Sequence, residues 1–317
     1  MASAVERSSK SRLLISAGNG RSNLTRLDSA VASNEGRKTV NDGASKKDRP
    51  MIARNGILVA NCYDYPQYYD IAFQAYTQSE ADFIEAACRK YCCFDVRRLL
   101  EPACGSGRIV TELAARGYQM TGFDLSQSAL SYLRRRLKRR RLYAETFQAE
   151  MSAFRLSRPI DAAYCTVNTF RHLLTEQAAR DHLERIASTL RPGGIYVLGM
   201  HLLSLDVNEE DVGRWTARRG GTKVTVTLRI VRTDVRRRIE DLRVWLLVLQ
   251  GTKELQLTYD FQFRTYLPGQ FRQLLDSVPS LELCDVYDFR YDIKHPFAVN
   301  DEMAYSVFVL RRRLSGN

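Results

Sequence analysis

Long apolar runs are missing from this 317-residue chain. The best of them, Val244–Leu249, is only strand-sized, so no membrane partner is expected. Paired-cysteine spacing is missing as well. Cys62, Cys88, Cys92, Cys93, Cys104, Cys165 and Cys284 include no CxxC, and the four histidines lie far from them in sequence, so no metal centre is expected. The apolar neighbours of Cys165, and of Cys92 and Cys93, predict buried free thiols in a reducing, cytoplasmic setting. No apolar signal core follows the first basic residues. Acids are missing from one place in particular. The run RRRLKRRR, Arg134–Arg141, holds seven basic residues and no acid. Residues 1–50 hold ten Lys/Arg against five Asp/Glu, which leaves the remainder neutral within the formal net charge of +12. The positive charge therefore sits in a leader and one cluster, not across a basic body.

Residues 1–52 are rich in Ser, Asn, Gly, Lys and Arg without hydrophobic periodicity. They read as a disordered basic leader, with a transit peptide as the alternative. From about Asn61 a tyrosine cluster, YDYPQYYDIAF, leads into a helix that runs from about Ser79 with Phe83, Ala86 and Ala87 on its apolar face. Strands are then predicted at Arg98–Leu100, Tyr118–Phe123, Tyr143–Gln148 and Ile160–Cys165, and at IYVLGMH after the Pro192-Gly193-Gly194 turn. Helices separate them: one is stopped by Gly117, one carries the basic run, and one is capped by Thr175. Such alternation implies a doubly wound parallel sheet. After Leu205 the period becomes two, at Val224, Val226, Leu228 and Ile230 and again at Leu255, Leu257, Tyr259, Phe261 and Phe263. An antiparallel meander over 205–266 is therefore inserted into an α/β domain spanning 53–317. A helix and two strands, near Leu281–Phe289 and Ala304–Leu310, return to the main sheet.

The stretch LLEPACGSGRIVTELAARGYQMTGFDLS places a small-residue turn, Pro102–Gly107, after the first strand. In a doubly wound sheet ligands bind outside the carboxyl ends of the strands, and small residues there let backbone approach them. Asp124, closing the next strand, is placed to accept two ribose hydroxyl hydrogens. A dinucleotide fingerprint needs a third glycine where Val110 stands, and a P-loop needs Gly-Lys where Gly107 precedes Arg108. No pyrophosphate site is visible. Glu101, just before the turn, would repel phosphates, but it suits orienting the turn or attracting an ammonium group.

Glu101-Pro102-Ala103-Cys104-Gly105-Ser106-Gly107 resembles the first motif of class I S-adenosylmethionine-dependent methyltransferases, E/D-x-G-x-G-x-G, with Ala103 in place of its first glycine. GFDLS resembles the second motif, Gln148-Ala149-Glu150-Met151 the third, and RPGG the turn before the fifth strand. The resemblance covers about Asn61 to Arg311 and implies a seven-stranded, mostly parallel Rossmann-like sheet. It further implies S-adenosyl-L-methionine as cofactor, with Asp124 on the ribose and Glu150 near the adenine amine. The Met151 backbone, and Leu125 after Asp124, would lie beside the adenosyl group. Ala103, Gly105 and Gly107 would form the close-approach turn, and Tyr69 and Tyr76 would contact the methionine end.

The acceptor is less marked. There is no N/D-P-P-Y/F motif and no Pro-Cys nucleophile; the fourth strand ends in CTVNTFRHLLT. That segment resembles the N-S-x-x-H-L of the glycine N-methyltransferase-like group. By that resemblance the acceptor is a small molecule methylated on N or O, with Asn168 orienting it and His172 holding a carboxylate or acting as base. His201, ending the fifth strand, is a second base candidate. Arg264 and Tyr266 either reach the pocket or form a structural Arg–acid pair. The meander is expected to cover the substrate or to form a homodimer. RRRLKRRR, expected on the solvated face of its helix, leaves an RNA or protein acceptor as the alternative reading.

Overall fold

The structure, a computed structural model, describes residues 51–52, 58–203, 212–297 and 305–314. Apart from Met51 and Ile52, the leader expected at 1–52 lies outside the described residues. In chain order the strands are β1 (Met51–Ile52), β2 (Leu58–Val59), β3 (Arg98–Pro102), β4 (Gln119–Asp124), β5 (Ala144–Gln148), β6 (Ile160–Cys165), β7 (Leu190–His201), β8 (Val212–Arg219), β9 (Thr222–Asp234), β10 (Ile239–Gln250), β11 (Lys253–Arg264), β12 (Leu281–Tyr287) and β13 (Tyr305–Arg312). The helices are α1 (Pro66–Phe73), α2 (Thr77–Tyr91), α3 (Arg108–Ala115), α4 (Gln127–Arg140), α5 (Glu176–Thr189) and α6 (Pro268–Asp276).

The main sheet runs β12-β13-β7-β6-β3-β4-β5. β13 is antiparallel to both neighbours, and the five strands from β7 to β5 are parallel. Chain order reverses at β3, which lies between β4 and β6, so a crevice opens at the carboxyl ends of these strands. β6 is buried at every residue, as a strand covered on both faces must be. Local signals set the crossover helices. Ser126 Oγ caps α4 by accepting from the Ala129 N–H, and Thr175 Oγ1 caps α5 through Ala178. Ala129, Leu130, Leu133 and Leu137 form the buried stripe of α4.

The second sheet runs β1-β2-β11-β10-β9-β8. Its central strands pair over long antiparallel registers that set Glu240 opposite Phe263, Leu242 opposite Phe261 and Val244 opposite Tyr259. Period two turns these residues toward the carboxyl ends of the parallel strands. α1 packs on β8 and β9, and the Asp70 carboxylate ties it to the body by accepting from Tyr132, Arg136 and Arg219.

Four features differ from the sequence reading. The expected turn at Pro192-Gly193-Gly194 is an irregularity inside β7: pairing with β6 jumps from Ile160↔Leu190 to Ala162↔Ile195. Gly194 fits there because a Cβ would stand 2.5 Å from the Asp161 carbonyl oxygen. The tyrosine cluster is itself helical, forming α1, and a 3₁₀ turn at Gln74–Tyr76 separates it from the expected helix, α2. Cys93 is exposed and Cys92 only half-buried, because both follow the end of α2. The basic run is not wholly solvated: Arg136 bonds Asp70, and Arg134 donates to Thr146 Oγ1 at 2.8 Å.

Candidate active site

A cavity of about 870 Å³ lies between the carboxyl ends of the parallel strands and the second sheet. Three acids stand at the ends of three adjacent strands: Glu101 on β3, Asp124 on β4 and Glu150 after β5. Asp124 organises the turn that the sequence singled out. Its Oδ2 accepts the Gly105 N–H at 2.8 Å and its Oδ1 accepts the Ser126 N–H at 2.7 Å. Burial pushes this carboxyl above its ordinary range, against the pull of those N–H groups. Ala103, Gly105 and Gly107 all have left-handed φ, of 50°, 52° and 65°, so the turn is folded tightly against β4. A Cβ on Gly105 would meet nothing within 4 Å; its open side faces the cavity. Gly107 does something else. It begins α3, and a Cβ there would lie 2.1 Å from Leu133 Cδ1, so it sets the approach of α3 to α4 and does not line the cavity.

Glu101 is buried, and Tyr164 Oη donates to its Oε2 at 3.0 Å. Burial pushes its carboxyl up to about 8, opposed by the nearby Arg108 guanidinium. Arg108 itself is paired with buried Glu80, which also accepts from Tyr291 Oη. Glu150 is exposed at the cavity rim and accepts from Ser152 Oγ at 2.9 Å. Met151 is buried, and its carbonyl accepts from His182 Nδ1 at 3.0 Å. That bond fixes the tautomer, so His182 Nε2 accepts from Tyr196 Oη. Leu125 is 64% exposed on the cavity lip, and Tyr69 lines the wall against Tyr63 and Phe73.

At the acceptor side, Asn168 has φ +66° and spends its Oδ1 on the His201 N–H, at 2.7 Å. The loop after β6 is thereby held to the end of β7. His201 lines the cavity with its Nε2 unpartnered among the described residues, and burial lowers its pKa to about 3. His172 lies 3.1 Å from Tyr63 Oη through Nε2, and burial and Arg171 lower its pKa to about 4. Both imidazoles are neutral at pH 7, so each is a weak base in this protein.

Three expected contacts lie elsewhere. Tyr76 sits on the 3₁₀ turn beyond α1, outside the cavity, where its carbonyl accepts from Ser79 Oγ. Arg264 has the opposite parity on β11 to Tyr259, Phe261 and Phe263, so the pleat turns it away from the cavity, and Tyr266 lies past the end of β11, outside the cavity lining. Arg264 pairs with Glu176, and Tyr266 is fully buried against Phe170 and Phe271. Of the two alternatives for this arginine, the structural pair is the observed one.

The sequence reading passed over Tyr63, Arg171 and Glu240. Arg171 and Glu240 form a buried ion pair on the cavity wall, joining the main sheet to the second sheet. The alternation on β11 was visible, but which face met the cavity depended on pairing across the fold. Among the described residues no group of three or more His, Cys, Asp or Glu gathers as a metal site. Among the same residues no helix is long and apolar enough to cross a membrane.

The site's donor set suits S-adenosylmethionine. It offers three carboxylates at adjacent strand ends, an open glycine backbone beside them and, among the described residues, no cation free for a phosphate. Comparison with known proteins agrees. The family described as "Methyltransferase domain" matches residues 99–194. A dTDP-3-amino-3,6-dideoxy-alpha-D-glucopyranose N,N-dimethyltransferase of Streptomyces fradiae is 30% identical over 127 residues, covering 40% of this chain and 48% of that protein. The chain spans about half the length of the curated relatives it matches. A structure of an S-adenosylmethionine-dependent methyltransferase from Clostridium acetobutylicum ATCC 824 superposes with TM-score 0.64 at 17% identity, over 81% of this chain and 100% of the other. A sugar N-methyltransferase from Streptoalloteichus sp. ATCC 53650 superposes with TM-score 0.63 at 18% identity, over 88% and 100%. At such identities these two establish the shared fold, while the family match falls on the segment that carries the turn and the three acids. Residues 99–194 match the methyltransferase-domain family, and the chain shares the fold of the S-adenosylmethionine-dependent methyltransferases on which it superposes.

Proposed function

We propose that this protein transfers the methyl group of S-adenosylmethionine to a nitrogen or oxygen atom of a small molecule. The observation that carries the reading is the roofed cavity. The three acids at adjacent strand ends share one enclosed space with an aromatic and aliphatic wall from β9, β10 and β11. When bound, the cofactor supplies an electrophilic methyl on a sulfonium; the chain's own groups position, desolvate and orient. Asp124 and the backbone at Gly105 hold the ribose, Glu150 and Met151 flank the adenine, and Glu101 receives the ammonium. Asn168 braces the loop that carries His172 against β7, and the Tyr63–His172 contact closes the wall beside the reacting end. The second sheet is the substrate cover of a unit spanning 53–317. The nitrogen acceptors in the names of the Streptomyces fradiae and Streptoalloteichus proteins favour nitrogen over oxygen. Seven cysteines without disulfides support a reducing, cytoplasmic setting. Calorimetry with S-adenosylmethionine and S-adenosylhomocysteine, followed by labelled-methyl transfer to small amines, alcohols and bulk RNA, tests the reading. Absence of cofactor binding by folded protein would sink it. Label in RNA, lost when Arg134–Arg141 are neutralised, would replace the small molecule with a nucleic acid.

A further inference from the structure

Resting on that reading, we propose that the acceptor is an amine on an apolar body without phosphate or carboxylate, and that the Arg171–Glu240 pair sets this specificity. The argument begins with cations. Among the described residues the cavity wall carries two arginines, Arg108 and Arg171, and no lysine. Each guanidinium is committed. Arg108 is held by Glu80. Arg171 donates from Nη2 to Glu240 and from Nε to the Arg264 carbonyl at 2.9 Å, and its guanidinium lies 4.7 Å from the Phe263 ring centroid. An acceptor phosphate entering this space would have to strip one arginine from a buried carboxylate, which leaves that carboxylate desolvated and unpaired. His172 and His201 offer no charge in compensation, since burial keeps both neutral.

The acids point the same way. Asp64, Glu101, Asp124, Glu150 and Glu240 all line the cavity, outnumbering its cations. The first four lie toward the mouth and the strand ends, whereas Glu240 lies on the roof, opposite Phe263 in the strand register. The roof continues from it through Phe263, Phe261 and Tyr259, with consecutive centroids 5.0 and 6.1 Å apart, the first two edge to face and the last two stacked. Glu240 is itself held by Arg171, so the charge that favours an amine over an acid is the excess of carboxylates toward the mouth, while the aromatic roof takes an apolar body by area. The amine gives its proton to water before its lone pair meets the methyl. A nucleotide-linked sugar, the acceptor in the Streptomyces fradiae relative's name, carries two phosphates that find no free cation among the described residues of this wall.

The test uses the full chain loaded with S-adenosylhomocysteine and titrated calorimetrically with 2-phenylethylamine, 3-phenylpropanoate and thymidine diphosphate. The amine is expected to bind about tenfold or more tighter than the acid of similar shape, with the diphosphate weaker still. Glu240→Gln should weaken the amine about tenfold and strengthen the acid, because Arg171 loses its partner, with S-adenosylhomocysteine affinity held within about twofold. Phe261→Leu, which keeps the ion pair, should weaken the amine alone by about threefold. Acid or diphosphate binding as tightly as the amine, no binding by the amine, or an unchanged amine-to-acid ratio in cofactor-binding Glu240→Gln would each overturn the proposal. Failure of S-adenosylhomocysteine to bind removes the function and the proposal together; intact cofactor binding with an acid-preferring site removes the proposal alone.

Discussion

Glu101 gives the methyl-donor site a pH signature that can be worked from the structure. Its carboxyl is buried beside Tyr164 and titrates near 8 in the folded chain, against an ordinary 4.5, with burial as the main cause. At pH 6 roughly one molecule in a hundred has it ionised, and at pH 7 roughly one in ten. If the ionised form receives the cofactor's ammonium, the apparent dissociation constant falls about tenfold per pH unit between 5.5 and 7, about 1.4 kcal/mol per unit. His172 and His201, lowered to about 4 and 3, do not titrate in that window. Binding should release close to one proton, read calorimetrically in buffers of different ionisation enthalpy. Glu101→Gln should bind more weakly at pH 7 and lose the pH slope. Stability carries the same signature in reverse. The folded carboxyl keeps its proton up to about 8 while the unfolded chain releases it near 4.5. Glu101 therefore contributes fully below 4.5, and the contribution is lost as pH rises through 8. The melting temperature of the unliganded wild type should fall across that window relative to Glu101→Gln. Flat cofactor affinity from pH 5.5 to 7, with no proton released, would refute the reasoning.

Further outcomes follow from the same geometry. Gly107→Ala meets both a left-handed φ and the Leu133 side chain at 2.1 Å, so it should lower stability to urea by about 2–4 kcal/mol. A loss under about 0.5 kcal/mol would show that α3 and α4 separate freely. Asp124→Ala removes two backbone acceptors and the ribose contact, and it should cost about 2–3 kcal/mol of cofactor affinity by calorimetry; unchanged affinity would deny Asp124 that role. Arg139, Arg140 and Arg141 are exposed at the far end of α4, so replacing all three by Gln should leave small-molecule methyl transfer within about twofold of wild type. A larger loss would tie the basic run to the reaction.

The order of the main sheet was legible because its signals are local. Turn residues, caps and apolar stripes each sit within a few positions of the element they start or stop, as Ser126, Thr175 and Gly117 do. Glu101 and Asp124 followed from the ends of strands whose order was already implied, whereas Glu150, just past β5, was singled out by the motif resemblance. β7 shows where local signals mislead. Pro192-Gly193-Gly194 has turn composition, yet pairing with β6 resumes beyond it and the segment is held inside one strand. Arg264 and Tyr266 show a second kind of failure. Their motif placed them near the site in sequence, but period two on β11 turns Arg264 to the other face, and Tyr266, past the strand's end, packs into the core against Phe170 and Phe271.

The acceptor wall was hidden by sequence separation. Arg171 and Glu240 are 69 residues apart and become partners only when β10 is laid over the loop after β6. Neither has a motif, and each alone reads as a surface charge. Their burial changes what they mean. A charged pair inside a wall otherwise made of aromatic and aliphatic side chains adds little net stability over an apolar pair, because its desolvation cancels most of its attraction. Stability therefore does not account for charge at this point of the fold. Selection does: the pair occupies the arginine that an anionic acceptor would need and neutralises the cation that would repel an amine. The methyl-donor half of the cavity comes from strand ends whose order fixes their positions. The acceptor half rests on the register of β10 against β11, which sets Glu240 opposite Phe263. Slipping β10 by one residue against β11 would turn Glu240 out of the cavity, part it from Arg171 and leave the donor site intact.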